Sequence, residues 1–365
     1  MLVENGLLLP LGGFLVGCLM GFIARRHHFC TMSALERHWY AGDSNGLRAW
    51  ALAIVVAIAL TQGLAATGLF DPRESFYLSP SFGWTGAIAG GLAFGFGMAL
   101  VGTCGFGALV RVGGGSLRSV VVMLVLGLSA LAAQRGLIGH GRIAVVDELA
   151  FDINRIGASD QSLGSILSAL AGADLRLATA VAVAGLLAFW VFRSAEFRRD
   201  RGKIIAGTAI GFAVAAGWAI TSYTAGNSFV PVQIESASFV VPPGDLILHL
   251  ITFTGTIPDY GVGLVAGVIT GAAAAAWRRH EVRWEACDDA RELSRHMAGA
   301  FLMGTGGVFA LGCTIGQGVS AASLLSVSAP VVLVSIAVGA RLGLALLLEG
   351  SVRHAFWPLH RARLG

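Results

Sequence analysis

The sequence predicts an all-α polytopic membrane protein built from two related halves. Three observations carry this: an apolar composition, long apolar runs punctuated by short basic clusters, and an internal repeat. Of 365 residues, 55% are hydrophobic and 13% charged, and the mean hydropathy is +0.75. A soluble domain carries roughly a quarter charged residues, so this chain is built for a lipid solvent. The 51 glycines fit, because membrane helices approach one another closely through small residues. A net charge of +4 does not imply nucleic-acid binding here, since the basic residues form no face or tail of their own. They fall between apolar runs, as topology signals do. Five cysteines (18, 30, 104, 287 and 313) are odd in number and form no CxxC pair, which speaks against a disulfide framework or a zinc site.

A spanning helix needs about 20 apolar residues. Candidates run 7–24, 47–69, 83–101, 119–138, 175–193, 203–221, 260–277 and 328–348, with weaker stretches at 161–172, 245–256 and 297–312. The expectation is roughly nine to eleven membrane helices, together with re-entrant half-helices. The apolar start lacks a positive flank and is followed by Arg25 and Arg26, so it reads as a first membrane helix and not as a cleaved leader.

Arginine placement predicts orientation. Arg193, Arg198, Arg199, Arg201 and Lys203 form one dense cluster; Arg278, Arg279, Arg283, Arg291 and Arg295 form another. Both are expected on the cytoplasmic side, as are Arg25, Arg26 and the tail from Arg353 to Arg363. The N-terminus then faces out and the C-terminus in. Segment 70–82 and loop 139–160, with Asp147, Glu148, Asp152 and Asp160, are more acidic and are expected outside.

The repeat aligns 90–107 (GGLAFGFGMALVGTCGFG) with 299–316 (GAFLMGTGGVFALGCTIG). Without gaps, Cys104 falls on Cys313, Gly90 on Gly299, Gly95 on Gly304, Gly97 on Gly306 and Gly107 on Gly316. A weaker echo links 11–24 to 205–218. These two helices are expected to run in opposite directions, so residues 1–172 and 173–365 read as inverted halves of one membrane domain, a plan common in secondary transporters.

In each repeat a glycine-rich helix stops at a Gly-Cys turn and restarts. Glycine tolerates backbone that other residues resist, and broken backbone at membrane depth belongs where it lines a cavity or is buried in protein. The N–H groups of a restarting helix form an anion site, assisted by its dipole. Gly105, Gly107 and Gly316 would supply that backbone, and Thr103, Thr314 and Gln317 further hydrogen bonds. The competing reading for the glycines is close helix packing; a cysteine at the same place in both halves favours a site. A third cysteine, Cys30, lies with Thr31 and Ser33 in RRHHFCTMSALERHWY, a polar piece too short to span. Its counterpart is NSFVPVQIESASFVVP, with Glu235, Ser236 and Ser238 but no cysteine. Both read as re-entrant loops. His27, His28 and His38 read as an interfacial cluster, Cys287 as an exposed thiol and Cys18 as a packing residue. Arg111 and Arg118 read equally as anion attractors or topology signals. No catalytic triad, paired-carboxylate site, Walker loop or dinucleotide fingerprint is present, so neither an enzyme nor a bound cofactor is expected.

With FCTMSAL at 29–35, GTCGFGALVR at 102–111 and GCTIGQGVS at 312–320, the chain resembles the YeeE/YedE family of sulfur-transport membrane proteins over nearly its whole length. The resemblance implies a thiosulfate importer of the bacterial inner membrane, with re-entrant loops meeting in an hourglass. It implies that Cys30, Cys104 and Cys313 pass the anion stepwise by contact with its terminal sulfur. Some relatives are linked to selenium, and many act with a separate sulfur carrier of the TusA type. Three readings are carried from the residues. The leading one is transport of thiosulfate or a related sulfur anion. The second is a membrane sulfurtransferase passing a persulfide from Cys104 or Cys313, and the third is a binding-only subunit. A catalytic thiol needs a cationic neighbour, and only Arg111 is close in sequence.

Overall fold

The apolar runs become helices close to the expected positions. The computed structural model describes residues 2–228, 231–254, 257–287 and 289–351, so the tail from Arg353 to Arg363 lies outside the described residues. Nine helices of 17 residues or more stand among them: α1 (Leu2–His27), α3 (Asn45–Ala66), α4 (Trp84–Val101), α6 (Leu117–Arg135), α9 (Arg176–Phe192), α11 (Arg201–Asn227), α13 (Tyr260–Arg278), α14 (Ala290–Phe309) and α15 (Ser328–Glu349). Seven segments are long and apolar enough to cross a membrane by length and composition. The shorter helices are α2 (Thr31–Glu36), α5 (Gly105–Gly113), α7 (Leu137–Arg142), α8 (Leu163–Ala171), α10 (Ala195–Arg199) and α12 (Pro242–Ile251). The chain is an all-α, multi-pass membrane protein. Its described strands are two residues each, pairing Ser81 with Asp152 and Phe82 with Phe151.

One boundary differs usefully from expectation. The weak stretch at 297–312 is the second half of α14, which starts at Ala290 and takes in polar RELSRH. Asp289 caps it, accepting from the Glu292 N–H at 2.6 Å, and Glu292 bonds Arg118 of α6 at 2.5 Å. A cap and a fixed ion pair let a charged first turn stay helical where hydropathy alone shows nothing.

Glycine sets the spacing of the bundle. On α1, a Cβ at Gly13, Gly17 or Gly21 would stand 2.1–2.2 Å from the carbonyls of Tyr260, Leu264 and Val268 on α13. Facing them, a Cβ at Gly263, Gly267 or Gly271 would stand 2.0–2.2 Å from the carbonyls of Pro10, Phe14 and Cys18. Lipid tails are as apolar as leucine, so association rests on such close backbone packing. The repeat glycines behave alike across α4 and α14: Gly90 meets the Gly306 carbonyl, and Gly306 meets that of Gly90. Gly97 and Gly299 meet each other in the same way.

The basic clusters gather at one end. Arg25 pairs with Glu281 at 3.7 Å, Arg279 donates to the Arg26 carbonyl at 3.1 Å, and Lys203 pairs with Asp43 at 3.9 Å. A strap at 281–287 is sewn to 114–118 there, with Arg283 N–H on the Gly114 carbonyl and Leu117 N–H on that of Glu285. At about 1.5 Å per residue, α3 and α11 carry the chain some 33 and 40 Å to the other end, where 70–82 and 139–160 pair through the short strands.

Candidate functional site

Helix α4 ends at Gly102, whose φ of +76° is left-handed, and Cys104 then caps α5. The Cys104 sulfur accepts the Gly107 N–H at 3.4 Å. In the second half α14 gives way to Leu311 at φ +56° and Gly312 at +155°, and Cys313 accepts the Gly316 N–H, also at 3.4 Å. The N–H groups of Phe239 and Ile315 also approach the Cys313 sulfur. Thus the amides expected to greet an anion converge partly on the thiols themselves. With its lone pairs occupied, each sulfur is left with its S–H to offer elsewhere.

The short α2 brings the third thiol in. Cys30, half-buried at its start, lies 3.9 Å from the Thr103 hydroxyl. Next to it, Thr31 is 3.9 Å from the Cys104 sulfur and donates to the Thr314 hydroxyl at 3.1 Å. Thr314 follows Cys313 directly. Cys30, Cys104 and Cys313 are therefore linked through three threonines, with Cys104 and Cys313 0% exposed. All three thiols are free.

Segment 231–241 reaches the same place from the other side. The Phe239 ring packs on Phe106 of α5 at 4.9 Å between centroids, and a Cβ at Gly105 would stand 2.9 Å from the Phe239 carbonyl. A Cβ at Gly316 would stand 2.9 Å from both the Ser238 and Tyr77 hydroxyls. Gly105 and Gly316 are not among the left-handed glycines; the handedness change sits at Gly102 and at 311–312. What demands glycine at 105 is close approach. At Gly107, a Cβ would stand 2.2 Å from the Thr103 hydroxyl and 3.7 Å from the Cys30 sulfur.

Several expected ligands are already engaged. The Gln317 amide donates to the Ala310 and Leu311 carbonyls at 2.9 and 3.3 Å and accepts from Ser328, so it holds the turn together. Ser236 is bonded to the Val214 carbonyl at 2.6 Å. Ser33 is half-buried on α2, one turn from Cys30. Glu235 lines a cavity of about 1070 Å³ that opens at the end away from the arginine clusters and reaches Ser238 and Gly312. Arg111 caps α4, donating to the Gly102 carbonyl at 3.1 Å, and Arg118 is held by Glu292 and Glu285. His38 bonds Ser44 at 2.9 Å; Cys18 lies on the close α1–α13 face, and Cys287 on the strap.

Thr31, Tyr77 and Ser238 were the residues missed as site candidates. Thr31 sits beside Cys30 in a motif otherwise noticed. Ser238 follows Ser236 at the two-residue spacing of an extended segment. Tyr77 gives no local sign, because only the tertiary fold brings 70–82 over the second turn.

A model of the sulphur transport family matches residues 26–342, which include all three linked thiols. The chain is 24% identical over 338 residues to thiosulfate transporter TsuA of Escherichia coli strain K12, covering 87% of this chain and 88% of that protein. It is 25% identical over 326 residues to thiosulfate transporter TsuA of Spirochaeta thermophila, covering 87% and 92%. Both relatives are named as thiosulfate transporters. With a family match spanning most of its length, the chain belongs to the sulphur transport family.

Proposed function

We propose that this protein carries thiosulfate, or a closely related small sulfur anion, across the bacterial inner membrane along Cys313, Cys104 and Cys30. The observation that carries the reading is the junction of these thiols, from three separate segments, through Thr31, Thr103 and Thr314. A dianion crosses hydrocarbon only if protein groups replace its water. Thiol S–H and threonine hydroxyl donors do so weakly and in series, which suits conduction: each contact holds the anion and releases it to the next. A soft terminal sulfur is well matched to a polarisable thiol.

The two halves are read as inverted repeats. In support, exchanging α1 with α11, α3 with α13, α4 with α14 and α6 with α15 turns the α1–α13 contact into α11–α3 and the α4–α15 contact into α14–α6. The arginine-rich end is read as cytoplasmic and the cavity at Glu235 as the outer vestibule, which puts the N-terminus outside. A separate TusA-like carrier is the partner that would accept sulfur inside. The sulfurtransferase alternative is disfavoured because Cys104 and Cys313 are sealed from solvent and no cation pairs with either thiol among the described residues.

The test is uptake of radiolabelled thiosulfate into proteoliposomes, competed with sulfate and with selenite. Saturable uptake resisting excess sulfate is expected. Absence of uptake, or equal competition by sulfate, would refute selection by sulfur.

A further inference from the structure

The vestibule has a charge problem for an anion path. Its wall carries three carboxylates, Glu235, Asp245 and Asp259, near the route to Ser238 and Gly312. Arg135 of α6 holds Asp245 at 3.8 Å, and Asp259 caps α13 by accepting the Val262 N–H at 2.8 Å. Glu235 has no ion pair and no side-chain hydrogen bond among the described residues, though it is half-buried. Its main chain is fixed, since its carbonyl accepts from Thr221 at 2.8 Å. A second buried group stands idle in the same cavity: Tyr260, 1% exposed, whose hydroxyl has no partner among the described residues. A Cβ on Gly217 would be 2.5 Å from that hydroxyl and 2.7 Å from the Ser236 hydroxyl, so Tyr260 reaches the irregular segment one residue from Glu235.

The remaining charged and titratable groups facing Glu235 are few. They are Arg135, Arg142 on α7, Tyr223 on α11 and Tyr77, which lies close enough to feel the charge of Glu235; the described α1 residues there are Gly6, Leu8 and Leu9. Glu235 is three residues from Ser238, at most about 10 Å along an extended chain. Burial, with Asp259 and Asp245 nearby, pushes the Glu235 carboxyl up to about 8, and once ionised so close to the path it repels a dianion strongly. Membrane potential adds to the difficulty: an interior 100 mV negative opposes accumulation of a dianion roughly 2,000-fold. Each proton that accompanies the anion removes one unit of that charge.

We propose that Glu235 is a proton-binding site coupled to the anion, so that admission of thiosulfate through the outer vestibule takes up one proton from outside. This rests on the transport reading above. The proton forms an O–H bond on the Glu235 carboxylate, with no change of oxidation state. The neutral carboxyl no longer repels the anion. By linkage, anion and proton raise each other's affinity by the same factor.

The test is isothermal calorimetry of the purified protein with thiosulfate, at pH 6, 7 and 8, in buffers of differing ionisation heat. Uptake of up to one proton per thiosulfate is expected, with affinity falling by as much as about tenfold per pH unit as pH rises. In Glu235→Gln the proton count should fall to near zero and the pH dependence flatten, while thiosulfate still binds. Wild-type binding with no proton uptake overturns the proposal alone, as does an undiminished count in Glu235→Gln. Should the wild type bind no thiosulfate, the transport reading fails and this proposal fails with it.

Discussion

The two Gly-Cys turns occupy matching places in the repeat yet are finished differently. The Cys104 turn leaves its helix through Gly102, a residue at home at positive φ, and restarts as a nine-residue α-helix. The Cys313 turn leaves through Leu311, for which φ +56° is strained, and restarts as a π-helix over Gly316–Ala321. Cys104 neighbours Cys30 through Thr103 beside it, whereas Ser238 and Tyr77 close over Gly316 of the Cys313 turn and the Phe239 amide approaches its sulfur. The repeated feature is the thiol held by the N–H three residues on. The divergent features are what each thiol faces, and strain of about 1–3 kcal/mol retained at only one turn points to the side where geometry is most constrained.

The sharpest way to break this comparison is to delete one thiol. Cys104→Ala should lower thiosulfate uptake on the order of 100-fold at equal expression, since it removes a contact and leaves buried donors unmatched at about 1–3 kcal/mol each. Cys287→Ala, on the strap, should leave uptake nearly intact. Equal losses in the two variants would sink the assignment of the central path.

Next in size come the glycines. Gly105→Val and Gly316→Val should both impair uptake, with Gly105→Val worse by several-fold. Its new Cβ meets the Phe239 main-chain carbonyl, whereas that of Gly316→Val meets hydroxyls that can turn aside. Gly185 has nothing within 4 Å, so Gly185→Val should transport normally. All three should insert and keep near-normal heat resistance, read by fluorescence-detected size exclusion after heating. Normal uptake by folded Gly105→Val would make the turn a packing device only.

A smaller effect is expected at the bridge between the turns. Thr31→Val keeps the shape but removes the donor shared by Cys104 and Thr314, and should reduce uptake roughly fivefold, in line with about 1 kcal/mol for one hydrogen bond. The smallest concerns backbone alone. Gly102→Ala should cost about 1 kcal/mol, while Leu311→Gly should gain a similar amount, read as opposite shifts in midpoint temperature. Shifts of the same sign would show that the two helix ends are not conformationally alike.

Much of this was legible in the chain. Apolar runs gave the long helices, and cysteine spacing within the repeat marked both turns. What escaped depended on partners distant in sequence. Gln317 and Ser236 read as ligands in the chain, and only the fold shows their amide and hydroxyl bonded to main-chain carbonyls. Arg111 looks like an anion attractor until Gly102 is seen beneath it. The start of α14 was hidden because a capped, ion-paired turn carries no hydropathy signal. Tyr77 could be found only once the fold had carried it across the second turn.

The reciprocal glycine contact of α1 with α13 has a consequence for biogenesis. Gly13 and its partner strip around Gly263 lie about 250 residues apart. At about 5–20 residues per second of synthesis, α1 waits roughly 12–50 s in the bilayer before its partner emerges. During that interval a notched, small-residue face stands open to lipid and to neighbouring helices. Assembly of this bundle is therefore closed by its second half, and a ribosome stalled before residue 260 leaves a first half with an unfilled seam that quality-control proteases can recognise.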